Sequence, residues 1–475
     1  MTIQCDIAVL GGGIAGYTAA IRAAQAGKKV VLIEKEKLGG TCLHKGCIPS
    51  KSLLRSAEVF ATLKKADYYG IRVADDAVAV DFDGVQARKE QTVDQLYRGL
   101  QHLMKKNGIE VVAGSGRVIG PSIFSPRSGS VAVELADGEM ETVVSANLII
   151  ATGSRPRTLQ GLPQDGERVM TSDDALRLEQ LPSSIIIVGG GVIGVEWASM
   201  LADFGVKVTL AETAPRLIAG EDPDVSTELA KQLKRRGVEV LTGISLKLET
   251  YTYEEGQVSI EAASGEETIR LQAERMLVSV GRQANTEGIG LENTDVQIIN
   301  GAVKVNGYFQ TTEPHIYAVG DVNGGLQLAH AAAHEALIAV DHILGGKEGA
   351  GDASLVPRCI YSRPEIASVG ITEEEARKRG HRVKVGRIPF QAIGKALVLG
   401  DPEGFAKVVA DADTHDILGV HLIGAHATDL ISEASLAMLL NAAPWEVGAV
   451  IHPHPTLSEA IGEAMLAVDG KAIAF

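Results

Sequence analysis

Apolar positions along the chain cluster in short unbroken blocks, each closed by glycines. Residues 5–10 (CDIAVL) form one such block and Ser184–Val188 (SIIIV) another. Runs this short and this apolar predict strands buried on both faces, as in a parallel sheet. Each runs into a glycine loop, Gly11-Gly-Gly13-Ile-Ala-Gly16 and Gly189-Gly-Gly191-Val-Ile-Gly194. Each loop is followed by a small-residue helix (17–26 and 195–204), a further glycine, and a second apolar strand (29–33 and 206–210). An acid stands at the end of each, Glu34 and Glu212. The first glycines (189 − 11) and the acids (212 − 34) share one offset of 178 residues. The chain thus contains the same strand–helix–strand unit twice.

Each unit closes on a further strand and glycine turn, residues 147–153 (NLIIATG) and 276–281 (MLVSVG). The first unit is longer and holds a cysteine-bearing loop with helices predicted over 50–66 and 91–106. From Arg282 the pattern returns to strands, then reaches 316–321 (IYAVGD) and a small-residue helix over 329–344. Residues 345–351 are glycine-rich and read as a linker. The remainder mixes alternating strands with helices, has no glycine fingerprint, and reads as a separate assembly domain.

Composition narrows the class. The chain has 475 residues, enough for three or four domains, with 45% hydrophobic and 22% charged residues, as in a folded globular protein. Lys+Arg number 45 against Asp+Glu 60, a net charge of −15 that excludes a general nucleic-acid binder. No apolar run reaches membrane-spanning length, and the first residues lack the basic start of a secretory signal. The four cysteines, Cys5, Cys42, Cys47 and Cys359, make no disulfide framework and predict a reducing, cytoplasmic compartment.

A G-x-G-x-x-G loop between strand and helix suits a dinucleotide. The glycines let the pyrophosphate approach the backbone, the helix N-terminus supplies N–H groups, and the acid on the next strand takes the ribose hydroxyls. Two such sites are expected, on Gly11, Gly13, Gly16 and Glu34, and on Gly189, Gly191, Gly194 and Glu212. In GGTCLHKGCIPSK (39–51), the C-x₄-C spacing has no second pair to complete a zinc site, so no metal is expected. Pro49 predicts a helix start, which places Cys47 near a dipole that favours thiolate; beside a dinucleotide site the pair reads as redox-active. Cys5 and Cys359 read as core residues. Far along the chain, HPHPTLSE (452–459) offers histidine as a base of suitable pKa and a carboxylate to orient it.

Together these strings resemble the FAD-dependent pyridine nucleotide-disulfide oxidoreductases. The resemblance spans the chain, through both fingerprints, the cysteine loop, ATGS (151–154), VGRQANT (280–286), YAVGD (317–321) and HPHPTLSE. It implies an α/β fold with two Rossmann-like domains, a central domain and a C-terminal α+β dimerisation domain. The expected boundaries are 1–149 for FAD with the disulfide loop, 150–281 for NAD, 282–349 completing the FAD site, and 350–475 for the interface.

Residue roles are implied by the resemblance. Cys42 is the expected interchange thiol, and Cys47 the charge-transfer thiolate against the flavin, the two forming the redox disulfide. Lys51 is expected near the flavin, paired with Glu196. Thr152, Gly153, Ser154, Asp321, Leu328, Ala329 and His330 are expected to complete the FAD site, and Glu196 and Gly281 the NAD site. His454 is the expected base and Glu459 its partner, with His452 structural or secondary.

The nearest branch of the family oxidises protein-bound dihydrolipoyl groups with NAD⁺, as a homodimer serving a lipoyl-bearing acyltransferase of a multienzyme complex. A glutathione reductase-like enzyme and a redox-silent scaffold are the alternatives. HPTLSE and Glu212 oppose the first, and the intact cysteines, His454 and Glu459 the second. One departure stands in the cysteine loop. His44-Lys45 replaces an Asn and an apolar residue, adding positive charge expected to tune the pair.

Overall fold

The computed structural model describes residues 2–74, 78–121 and 127–474, and it divides the chain into two compact units. One comprises Met1–Ser52, Gln86–Arg157 and Arg282–Gly351; the other comprises Leu53–Val85, Thr158–Gly281 and Asp352–Phe475. Residues 53–85, expected with the first stretch, fall in the second unit, and residues 150–157, expected with the second stretch, fall in the first.

The first unit is built on strand Thr2–Leu10, flanked in parallel by Val30–Glu34 and by Met140–Ile150. Glu110–Ile119 extends the sheet on one side and Ile316–Ala318 on the other, both in parallel. Ser130–Leu135 runs antiparallel to Glu110–Ile119 and to Met140–Ile150. The strands turn apolar where both faces are covered, at Ile7–Leu10 and Leu148–Ile150. Ile7, Val9 and Leu32 pack with helix Ile14–Gln25, whereas Ala8, Leu10 and Val31 join a second cluster.

The second unit repeats the plan. Its parallel sheet runs Glu239–Thr242, Lys207–Glu212, Ser184–Val188, Arg275–Val278 and Val169–Met170. The repeat reaches the register of the strands: Ile7 pairs Val30 and Ile185 pairs Val208, and 185 − 7 and 208 − 30 both give 178. The helix after each glycine loop starts earlier than the sequence predicts, at Ile14 and Val192, because the third glycine lies inside its first turn. An antiparallel meander, Ser245–Glu254, Gln257–Ser264 and Glu267–Ala273, comes next.

The last stretch adds a five-stranded antiparallel sheet, ordered Arg358–Ile360, Glu365–Gly370, Ile417–Gly424, Phe405–Asp411, Val383–Pro389. Helices Ala427–Leu439 and Glu459–Ala467 bury Ile431, Ala434, Ile461 and Met465 in the cluster beneath it.

Within this unit, charge is buried in pairs. Lys407 reaches Asp222 at 3.0 Å, Asp224 at 2.8 Å and Glu373 at 2.9 Å. Asp222 is fully buried and also caps helix Pro223–Arg235. Removing one partner of a buried ion pair leaves an uncompensated charge. Lys407→Met is therefore expected to lower the unfolding free energy by about 3–5 kcal/mol, read from urea denaturation of the purified protein.

Candidate functional site

Both glycine loops are held by the same interactions. Gly11 N–H donates to Ile33 O and Gly189 N–H to Ala211 O, each at 2.8 Å. The third glycine lies so close to the first that no side chain fits. A Cβ on Gly16 would stand 1.8 Å from Gly11 O, and one on Gly194 would stand 1.9 Å from Gly189 O. The acids close each loop from the neighbouring strand. Glu34 accepts from Gly12 N–H at 2.6 Å and Glu36 N–H at 2.8 Å. Glu212 accepts from Gly190 N–H at 2.5 Å and Ala214 N–H at 2.6 Å. Each carboxylate is thus fixed at the lip of an open cradle. Nothing lies within 4 Å of a Cβ built on Gly191, and only Gly40 Cα comes that near one on Gly13. Open glycine backbone, a helix N-terminus and a fixed carboxylate are the donor set a dinucleotide requires.

Further residues of the first cradle come from distant segments. Ala151 N–H donates to Leu10 O at 2.8 Å, bringing Thr152–Ser154 to the glycine loop. Thr152 is held by Asn285, Oγ1 donating to its carbonyl at 2.8 Å and Asn285 Nδ2 returning a bond at 2.9 Å. Ser154 Oγ donates to Asp321 Oδ2 at 2.5 Å and accepts from Arg282 Nε at 2.7 Å. Asp321 sits in the one-turn helix Gly320–Asn323, and Leu328 is the N-cap of helix Ala329–Ile343, which opens with Ala329 and His330. In the second unit, Gly281 has φ +107° and open space around it, and Ser279 N–H donates to Val188 O at 2.8 Å.

The cysteine loop lies over the first cradle, tied by Gly39 N–H donating to Gly12 O at 2.8 Å. Cys42 lies in helix Gly40–His44, and Cys47 opens helix Cys47–Leu63, which starts before the Ser50 the sequence predicts. Both are thiols here, in side-chain hydrogen-bond contact. That contact, burial and a charge on Cys47 push the Cys42 thiol up, while Lys51 pulls it down. Burial and the charges of both cysteines also raise the Tyr17 phenol, a neighbour that no sequence motif marks. The added charge of the loop is met locally. Lys45 pairs with Glu36 at 2.6 Å, a bond that holds the Glu36 carboxyl below its usual range. His44 bonds Leu38 O at 2.8 Å and packs edge-on against Tyr97.

The histidine–carboxylate string is in the other unit. His454 Nδ1 lies 2.8 Å from Glu459 Oε1, and Glu459 Oε2 accepts from Thr456 N–H at 2.9 Å. The His454 side chain is 77% exposed; because a carboxylate only accepts, Nδ1–H is the donor of this bond, and Nε2 lies outside it. His452 differs. Its side chain is 10% exposed, bonds Glu433 at 2.7 Å and packs on Gly462, which makes it structural. Glu433, 19 residues upstream on helix Ala427–Leu439, carries no motif that announces it.

Glu196 is buried, and its Oε1 accepts from Tyr361 N–H at 2.9 Å. One and two turns further along the same helix, Ser199 accepts from Arg363 N–H at 2.8 Å and Asp203 takes Arg236 at 2.7 Å. The stripe 196–199–203 is a helical face spent on backbone and arginine partners rather than on a core, a role its spacing alone does not reveal.

Two cradles, a thiol pair and a histidine–carboxylate pair define a class, and comparison agrees. The pyridine nucleotide-disulphide oxidoreductase family matches residues 5–336, and the dimerisation domain of the same family matches residues 356–465. The chain belongs to that family: it is an oxidoreductase acting on a sulfur group, with FAD and NAD(H) as cofactors. It is 59% identical over 476 residues to a dihydrolipoyl dehydrogenase of Bacillus subtilis, covering 100% of both chains. It is 40% identical, again over 100% of both, to a dihydrolipoyl dehydrogenase of Zymomonas mobilis. Among solved structures, the flavoprotein disulfide reductase RclA of Escherichia coli superposes with a TM-score of 0.84 at 30% identity, over 97% of this chain and 99% of that one.

Desolvation opposes the charge on Glu459, yet the bonds from His454 and Thr456 N–H outweigh it and hold its carboxyl below the usual range. A depressed carboxylate stabilises the fold above its unfolded pKa and loses that contribution as the pH falls. Glu459→Gln is therefore expected to lower the urea midpoint at pH 7. The gap from the parent protein should close as the pH drops below about 4, which a pH series of unfolding curves measures.

Proposed function

We propose that this protein oxidises the dithiol of a protein-bound dihydrolipoyl group, using Cys42 and Cys47 as the exchanging disulfide, His454 as base and NAD⁺ as final acceptor. The observation that carries the reading is the contact between Cys42 and Cys47 on the loop tied to the first cradle. Full-length identity to dihydrolipoyl dehydrogenases supports the choice of dithiol.

FAD, bound by the first cradle, supplies two-electron transfer between the thiols and the nicotinamide. The residues offered to it are Gly11, Gly13, Gly16, Glu34, Lys51, Thr152–Ser154, Asp321 and the start of helix Ala329–Ile343. Gly189, Gly191, Gly194, Glu196, Glu212 and Gly281 hold NAD. Glu212 favours NAD over NADP, because a carboxylate accepts ribose hydroxyls and repels a 2′-phosphate.

The chain's own chemistry is thiol exchange. One substrate thiolate attacks the Cys42 sulfur; the Cys42–Cys47 bond breaks and Cys47 leaves as thiolate. His454 Nε2 takes the proton of the second substrate thiol, and Glu459 stabilises the resulting imidazolium. That second sulfur displaces Cys42 and closes the substrate disulfide. Two electrons then rest on the Cys42–Cys47 dithiol, and its reoxidation with reduction of NAD⁺ to NADH completes the cycle.

The stretches 1–149, 150–281, 282–349 and 350–475 act as FAD, NAD, central and interface parts. The working form is a homodimer whose natural substrate is the lipoyl arm of an acyltransferase. A family dimerisation domain and the exposed apolar residues Leu436, Leu439, Leu440, Trp445 and Ile451 support the dimer. Four cysteines without a structural disulfide support a cytoplasmic location.

Reaction of the reduced protein with an activated linear disulfide tests the division between the cysteines. Cys47→Ser is expected to accumulate a mixed disulfide on Cys42, visible by mass, whereas Cys42→Ser reacts slowly. Equal labelling of both variants would overturn the assignment.

Mixed dimers test the placement of the base. Cys47→Ser and His454→Gln chains are each inactive alone. If His454 serves the partner's cysteines, each mixed dimer regains one of its two sites. Random pairing makes about half the dimers mixed, so roughly a quarter of parental activity returns. No recovery, with mixed dimers confirmed by mass, would mean that each site lies within one chain.

A further inference from the structure

The turn bearing Asp321 and the helix after it are joined by one buried carboxyl. Gly320, which opens the turn Gly320–Asn323, has φ +74°, and a Cβ there would stand 3.3 Å from Ala15 Cβ and 3.4 Å from Ala332 Cβ. The turn is therefore pressed between the first glycine-loop helix and helix Ala329–Ile343. Glu335, on the latter helix, is 9% exposed. Its Oε2 accepts from Gly320 N–H at 2.7 Å and from Asn323 Nδ2 at 2.8 Å. Asn323 Oδ1 in turn accepts from Gly325 N–H at 2.8 Å, so the connection to the helix is fixed as well. Burial and the neighbouring Asp321 charge push the Glu335 carboxyl up, against the two hydrogen bonds. A buried acid at such a cost is kept where its acceptor is needed: without it, Gly320 N–H and the Asn323 amide would be left unsatisfied.

Asp321 is thus held from two directions. Its carboxylate is oriented by Ser154 and, through Ser154, by Arg282. Its backbone is oriented by Glu335, which grips residues on both sides of it in the turn. We propose that Glu335 is a positioning residue for FAD, locking the Asp321 turn onto helix Ala329–Ile343 so that the two segments meet the cofactor at a fixed separation. The inference rests on the first cradle as the FAD site. Glu335 itself belongs to none of the expected cofactor contacts.

The test uses the holoprotein with Glu335→Ala and Glu335→Gln, following FAD release by flavin fluorescence on dilution, and thermal midpoints of the FAD-free and FAD-loaded forms. The alanine variant is expected to release FAD about tenfold faster and to show a narrowed gap between its two midpoints. Gln supplies one amide oxygen to both donors and should restore parental release. Parental release from Glu335→Ala, an equal fall of both midpoints, or a glutamine variant as defective as alanine would overturn the role. Should the alanine variant fail to fold, Asn323→Ala removes one of the two donors and carries the same expectation, and its retention of FAD at the parental rate would overturn the proposal. A parent protein that neither carries nor accepts FAD overturns the cradle reading itself. A parent that holds FAD beside an alanine variant that holds it equally well overturns only Glu335.

Discussion

The approach of Gly16 to the carbonyl of Gly11, repeated by Gly194 at Gly189, is the constraint on which the rest depends. It lets each helix start directly at the end of its strand, with its first N–H groups facing open space. Any side chain at the third glycine forces helix and strand apart, and the cradle is lost. The carboxylates of Glu34 and Glu212 then hold the middle of each loop from the adjacent strand. Each acid thereby has a structural role before any nucleotide arrives.

Beyond the acid, the two copies diverge. In the first, the chain turns through Gly39 at φ +107° and enters the cysteine loop. In the second, Ile218 occupies the matching place, donates its N–H to Gly190 O as Gly39 does to Gly12 O, and takes φ +41°. A β-branched residue there is strained. The second loop meets the same hydrogen-bond demand without glycine and then runs into the buried acids Glu221 and Asp222. One scaffold has thus been fitted with a redox loop in one copy and with an anchor in the other.

Much of this was legible in the sequence because it is local. The fingerprints, the acids at fixed distance, the cysteine loop and the His454–Glu459 string each fall within a few tens of residues. What escaped are buried polar contacts that no motif marks. Glu433 reaches His452 over 19 residues and Glu335 reaches Gly320 over 15, while Ser199 and Asp203 serve a segment over 150 residues away. Buried polar side chains such as these look like any surface residue until the partner is known. The helix starts at Ile14, Cys47 and Val192 were each misplaced by three residues because Gly and Pro were read as boundaries, whereas here they lie within first turns.

The interleaving of the units also sets the order in which the chain can be assembled. The second parallel sheet is contiguous, with its strands between Val169 and Val278. The first sheet begins at Thr2 but receives its last strand only with Ile316–Ala318. A ribosome therefore delivers every strand of the second sheet while the first still has an open edge on Met140–Ile150. Domains emerging N-terminal first are generally expected to finish first. Here the nascent chain must keep an apolar edge unpaired through the synthesis of an entire neighbouring sheet, an interval in which that edge is open to pairing with other chains.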